Sequence, residues 1–239
     1  MCTVTIVPSG DGFRVGCNRD ERRDRAAALP PAVHRLRRRT AVFPVDPAGP
    51  GTWVGVNDVG VAAALLNRTI DSAAPIDQST RTRRSRGLII PDLLDCTSLT
   101  DALDIGAALD PRDFDRFRLV VAQNSAAAIV TSDGAALSVE RTTLSRPMML
   151  TSSSLGDALV ETPRRRLFDR LFAGEERSWL RAQSRFHCHH WPSRRDISVS
   201  MERADARTVS YTVVNVSSRA VELRYRALES AKPVAVTAA

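Results

Sequence analysis

The chain has 239 residues, 43% hydrophobic and 26% charged, with a formal net charge of +7. That length supports one large core and a single two-sheet domain. No stretch reaches the ~20 consecutive apolar residues of a membrane-spanning helix, and aromatics, at 5%, are too few for the stacking platforms that hold single-stranded nucleic acid.

The pI of about 10.2 invites a nucleic-acid reading. Lys232 is the only lysine, however, and alanine and valine are abundant, as a GC-rich coding sequence gives. The densest basic run, His34-Arg35-Leu36-Arg37-Arg38-Arg39, is interrupted by leucine and reads as a solvated strand edge. No nucleic-acid partner is therefore expected. Cys2, Cys17, Cys96 and Cys188 form no C-x-x-C pair and no dense framework, which fits a reducing, cytoplasmic compartment. The first apolar run is short, lacks a basic flank and meets Pro8, unlike a signal peptide.

In chain order, Cys2 to Val7 and Phe13 to Glu21 read as a hairpin turned by Gly10-Asp11-Gly12. The second strand ends in Asn18-Arg19-Asp20-Glu21, which returns to the start of the first. Glu21 to Pro31 reads as a loop over one end of a sheet. Thr52 to Val56 and Val59 to Leu66 form a second hairpin through Asn57-Asp58. Asp71 to Arg84 is a polar loop. Ser85 is a helix cap for Arg86 to Leu94, with Pro91 favouring a late start or a kink. Thr100 to Leu109 is helical by period.

Arg116 to Gln123 reads as a buried strand, and Ala126 to Thr131 with Ala135 to Arg141 as a third hairpin. Pro147 to Ser152 is a strand. Thr162-Pro163 reads as a cap with proline at the first helical position, and the helix runs to Phe172. Asp196 to Met201, Thr208 to Val216 and Ala220 to Leu228 read as strands. Residues 1–228 form one domain, and 229–239 a frayed tail.

Methionine before a small residue is usually trimmed, so Cys2 is expected as the mature N-terminus. Its α-amine, with a reference pKa of about 7.7–8.0, then serves as a base beside the thiol nucleophile. The alternative is a small apolar residue starting an inner strand.

The Asn18-Arg19-Asp20-Glu21 tetrad at this distance from Cys2 resembles the NRDE family, the Transport and Golgi organisation 2-like proteins. Trp53-Val54-Gly55-Val56-Asn57, Gly60, Leu65-Leu66-Asn67-Arg68 and Ser85-Arg86-Gly87 resemble further motifs of that family. Leu150-Thr151-Ser152-Ser153 and Glu161-Thr162-Pro163 resemble degraded forms of its L-S-N-S and D-T-P segments. The family is in turn similar to choloylglycine-type N-terminal-nucleophile hydrolases. The resemblance implies a four-layer αββα sandwich of the α+β class and cysteine-dependent hydrolysis of a small amide.

On that resemblance Asp20 aligns with the aspartate that holds the nucleophile's thiol and amine. Arg19 is displaced from the corresponding arginine, whose position Cys17 occupies. Arg19 and Glu21 form either active-site groups or an ion pair that pins a loop. Asn67 aligns with an oxyanion-hole asparagine, a turn-forming residue being the alternative. Ser152 replaces an asparagine and donates one hydrogen bond in place of two. Arg207 stands nearest to an arginine of the family's C-terminal stretch.

His187-Cys188-His189-His190 reads as a polar connector before Trp191-Pro192. On a strand, either face would supply two metal ligands where a structural zinc needs four. Histidine is also a haem ligand, and the resemblance implies a part in haem trafficking. A non-catalytic carrier of haem or another apolar ligand is thus the second reading. No resident cofactor is expected.

Overall fold

Side chains alternate across a strand, and the first hairpin uses that alternation to serve two cores. β1 (Cys2–Ser9) and β2 (Gly12–Arg22) pair antiparallel, from Cys2↔Arg19 to Ser9↔Gly12. Val4, Ile6, Phe13, Val15 and Cys17 enter one apolar cluster. Thr5 and Asn18 face the opposite way, towards His187. The computed structural model describes residues 2–49, 51–70, 83–229 and 233–238.

The next four strands are β3 (Leu29–Arg35), β4 (Thr40–Val45), β5 (Val54–Asn57) and β6 (Ala62–Asn67). Two short helices follow, α1 (Ile89–Leu94) and α2 (Leu99–Ala107). After them come β7 (Phe117–Gln123), β8 (Ala126–Ser132), β9 (Leu137–Thr143) and β10 (Met148–Thr151). Helices α3 (Asp157–Leu171) and α4 (Glu176–His187) precede β11 (Ala206–Val216), β12 (Val221–Ala227) and β13 (Val234–Thr237). One sheet has the order β10-β1-β2-β11-β12-β13, the other β3-β4-β5-β6-β7-β8-β9.

Three apolar clusters show the layering. The largest joins inner faces of both sheets, with Val4, Ile6 and Leu223 against Val42, Val54 and Leu66. Ile90, Leu93 and Leu103 of α1 and α2 cover the second sheet at Leu65, Leu119 and Val121. Phe168, Phe172 and Phe186 cover the first sheet at Val7 and Met149. Each such side chain contributes ~1.5–3 kcal/mol by leaving water. The architecture is the expected αββα sandwich.

Several local expectations are corrected. A 3-10 turn over Arg86–Leu88 precedes α1, and Ser85 makes no side-chain cap. Pro91 therefore lies in the first turn of α1, where its missing N–H costs little. Pro163 is not the first helical residue but lies inside α3. That helix starts at Asp157, whose carboxylate accepts from the backbone N–H groups of Ser153 at 2.8 Å and Thr69 at 3.2 Å. Tertiary contacts, rather than the Thr-Pro pair, set its origin.

Helix α4 was not anticipated, and its last residue is His187, so the strand-based view of the histidine cluster does not apply. Asp196 to Met201 is not a strand but a 3-10 turn, Arg195–Ile197, with irregular chain after it. Leu29 to Arg35 is an edge strand that takes in Pro30 and Pro31, expected as loop. The tail includes β13, paired with β12 from Glu222↔Thr237 to Tyr225↔Val234. Most of the expected Asp71–Arg84 loop lies outside the described residues.

Candidate active site

The register Cys2↔Arg19 puts both side chains on the inner face of the first sheet, at the end where the two sheets part. A cavity of about 260 Å³ opens there. The first sheet contributes Cys2, Arg19 and Glu21 to its lining, the second contributes Leu65 and Asn67, and Trp53 enters just before β5. Asp46 and Thr52 enter from the β4–β5 connection, and Arg84 to Gly87 from the turn before α1. The cavity is predominantly polar, with Trp53 and Leu65 as its large apolar side chains.

Arg19 is buried and heavily tied. Its Nη2 donates to Asp46 at 2.7 Å and lies 3.5 Å from Glu21. Its guanidinium carbon sits 4.2 Å from the centre of the Trp53 ring, a cation–π geometry. Arg25 adds a second ion pair to Asp46 at 2.7 Å. Asp46 is held below its usual range because hydrogen bonds from Arg25 and Ala48, with the Arg19 charge, outweigh its desolvation.

Cys2 is gripped at its backbone. Its nitrogen donates to Ser152 Oγ at 3.1 Å, and its carbonyl accepts from Ser152 N at 3.0 Å. The neighbouring Cys17 thiol draws the Cys2 pKa below the ordinary value, against the opposing effect of burial, while Cys17 Sγ itself lies 3.8 Å from the carbonyl of Asn18. The Cys17 thiol is pushed up by the same pairing and by desolvation. Asp20, on the other face of β2, accepts from Thr208 Oγ1 at 2.6 Å. Burial raises its pKa, and Arg164 and Thr208 work against that rise.

A family profile described as Transport and Golgi organisation 2 matches residues 1–174. The chain belongs to that family. No curated protein sequence matches it. Penicillin V acylase from Agrobacterium tumefaciens superposes with a TM-score of 0.58 at 12% identity, over 99% of this chain and 86% of that one. The Caenorhabditis elegans ortholog of N-acylethanolamine-hydrolyzing acid amidase gives 0.58 at 16%, over 89% and 92%. A mutant conjugated bile acid hydrolase from Clostridium perfringens gives 0.60 at 11%, over 99% and 92%. The fold of this Transport and Golgi organisation 2 family member is that of the N-terminal-nucleophile hydrolases.

Of the family-like residues, the fold brings Cys2, Arg19 and Asn67 to one cavity. Asp20 and Ser152 stand behind the lining, buried beside the first strands. Arg207 does not join them. It pairs with Glu229 and lines a different cleft, with His190 and Arg195. His187 lies in the helix-to-sheet layer, with Nε2 2.7 Å from Thr5 Oγ1 and Nδ1 3.1 Å from Asn18 Oδ1. Both ring nitrogens are thus engaged, and burial pushes its pKa down to about 3. Among the described residues no group of three or more histidine, cysteine or acidic side chains is placed to hold a metal.

The sequence reading missed Asp46, Arg25 and Asp115 as cavity residues. Asp46 lies in an ordinary turn-rich stretch, and no local pattern marks it. Arg86 was visible as part of Ser85-Arg86-Gly87, but only as a helix start.

Proposed function

We propose that this protein is an N-terminal cysteine hydrolase of a small amide. The observation that carries the reading is Cys2 at the wall of a polar cavity, with its backbone nitrogen held 3.1 Å from Ser152 Oγ. Removal of the preceding methionine turns that nitrogen into an α-amine. The amine takes the thiol proton, and the sulfur attacks the substrate carbonyl. Asn67, on the opposite wall, supplies an amide donor to the oxyanion. The protonated amine then gives its proton to the leaving amine, and water hydrolyses the thioester. Arg19, fixed by Asp46, adds positive charge beside the thiolate.

The fold neighbours named as an acylase, an amidase and a bile acid hydrolase support this chemistry by analogy of fold. Four unpaired cysteines accord with a reducing compartment such as the cytoplasm. Haem carriage has less support. The cavity is lined by arginines and carboxylates, and His187 has no free ring nitrogen.

The test is acyl transfer from a panel of activated thioesters and amides. Cys2→Ala is expected to abolish turnover, and retention of Met1, verified by intact mass, to have the same effect. Full turnover in Cys2→Ala would overturn the reading.

A further inference from the structure

We infer that the cavity beside Cys2 recognises a carboxylate on its ligand, and that Arg86, seconded by Arg84, is the receiving group. Calling that ligand a substrate rests on the hydrolase reading; the anion recognition itself does not.

The charges of the cavity do not balance locally. Arg19 and Arg25 are matched by Asp46 and Glu21. Asp115 is engaged by Arg83 at 2.7 Å. Among the described residues, no carboxylate forms an ion pair with Arg84 or Arg86, both of which line the cavity. Arg86 Nη1 donates to the carbonyl of Arg116 at 2.9 Å. That bond anchors the guanidinium by one nitrogen and leaves its remaining donors for the cavity. Burial lowers the Arg86 pKa, opposed by the charges of Asp115, Cys2 and Glu21. A partly desolvated guanidinium without a directly paired carboxylate carries a cost that a bound carboxylate lowers, in the fork geometry that arginine favours.

The backbone holds Arg86 in this place. Thr52 N donates to Gly87 O at 3.0 Å, and a Cβ on Gly51 would lie 2.4 Å from the Gly87 carbonyl carbon. Two glycines therefore allow the Ser85-Arg86-Gly87 turn to press against the Gly51-Thr52 segment that leads into Trp53. A second observation comes from Trp53 itself. It is 6% exposed, lines the cavity, and among the described residues its indole N–H has no hydrogen-bond partner. The ligand class is a small molecule bearing a carboxylate, in keeping with a volume of about 260 Å³.

The experiment compares two alkylating agents of nearly equal size and the same chemistry, anionic iodoacetate and neutral iodoacetamide. Rates at Cys2 and at exposed Cys188 are read by peptide mass spectrometry from the same molecules, at pH 7 and low salt. The iodoacetate-to-iodoacetamide ratio is expected to be about tenfold higher at Cys2 than at Cys188, as for a charge-assisted hydrogen bond. Arg86→Gln should bring the Cys2 ratio down to that of Cys188. Arg84→Gln should lower it in part, and Arg141→Gln, on exposed β9 outside the cavity, should not move it. A merely tuning role for Arg86 would change both reagents equally and overturn the proposal. So would equal ratios at the two cysteines in the unmodified protein. Should Arg86→Gln fail to fold, the unmodified protein and Arg84→Gln decide the matter. A high ratio without any turnover would retain the anion site and remove the hydrolase reading.

Discussion

A buried thiol is ordinarily a weak nucleophile, because desolvation disfavours the thiolate. Cys2 is buried, yet its pKa is drawn down, and the largest cause is the neighbouring Cys17 thiol. A second buried thiol on the next strand thus tunes Cys2. Cys17→Ala should shift the pH midpoint of Cys2 alkylation upward, and Cys17→Ser, which keeps a donor, should shift it less. An unchanged midpoint in Cys17→Ala would mean that the thiols do not interact. Cys17 itself, raised by that pairing and by burial, should alkylate slowly throughout. Ser152 acts on the same residue from the opposite side by holding both the nitrogen and the carbonyl of Cys2. Ser152→Ala keeps the backbone bond and loses the hydroxyl. Acyl transfer should fall about tenfold, in kcat rather than KM, since the loss is one of positioning. A change confined to KM would place Ser152 in ligand binding.

At the scale of elements, the docking of α4 on the first hairpin explains why the histidine cluster does not form a metal site. A Cβ at Gly16 would lie 2.7 Å from His187 Nε2, so β2 keeps a glycine where the helix end approaches. Gly16→Ala should cost about 1–3 kcal/mol by overpacking. An unchanged urea midpoint would show that the helix end yields. The burial of His187 also gives stability a pH dependence. An unfolded chain protonates an ordinary histidine below about pH 6.5, whereas buried His187 resists until about 3. Between those values the unfolded state binds more protons, so stability falls as pH drops, by up to about 1.4 kcal/mol per unit. His187→Gln should remove that part of the slope between pH 6 and 4; an equal loss in both proteins would refute it. The hairpin was legible because Asp11-Gly12 and strict alternation act locally. Helix α4 carries Trp179, Ala182, Gln183 and Phe186 at helical spacing, but its many arginines and polar residues make the segment resemble a connector. The start of α3 had no local signal, since Asp157 is held by Thr69 and Arg118 from other elements.

For the molecule as a whole, alternating runs and helical periods marked strands and two helical blocks, because each follows from burial on one face, whereas the arrangement in four layers was implied only by the family resemblance. Of the cavity, Cys2, Arg19 and Asn67 were marked beforehand, largely through the family resemblance, and Trp53 was visible only as part of a motif. The rest depends on how the β4–β5 connection and the turn before α1 meet in space, which no single segment encodes. The C-terminus is a similar case. Residues 234–237 look like a tail because they are short and follow a polar stretch, yet β13 completes the first sheet and also packs near β3 of the second. Val236 lies against the inter-sheet core, and Ala238 N donates to Val221 O at 3.1 Å. β13 therefore closes the exposed edge of β12 at the side of the sandwich where the two sheets come together. Removing residues 233–239 deletes a four-residue ladder and uncovers part of Leu223 and Tyr225, both buried on β12. Net backbone bonds of ~0.5–1.5 kcal/mol each and modest apolar exposure point to a loss of about 2–4 kcal/mol and a lower urea midpoint. The exposed edge should also make the truncated protein more prone to self-associate. Because β2 and β11 separate β12 from β1, the rate of Cys2 alkylation at a temperature where the variant is folded should stay as in the full chain. A truncated protein with the full-length urea midpoint would show that β13 is an appendage; one with intact folding but altered Cys2 reactivity would show that the sheet edge and the cavity are coupled.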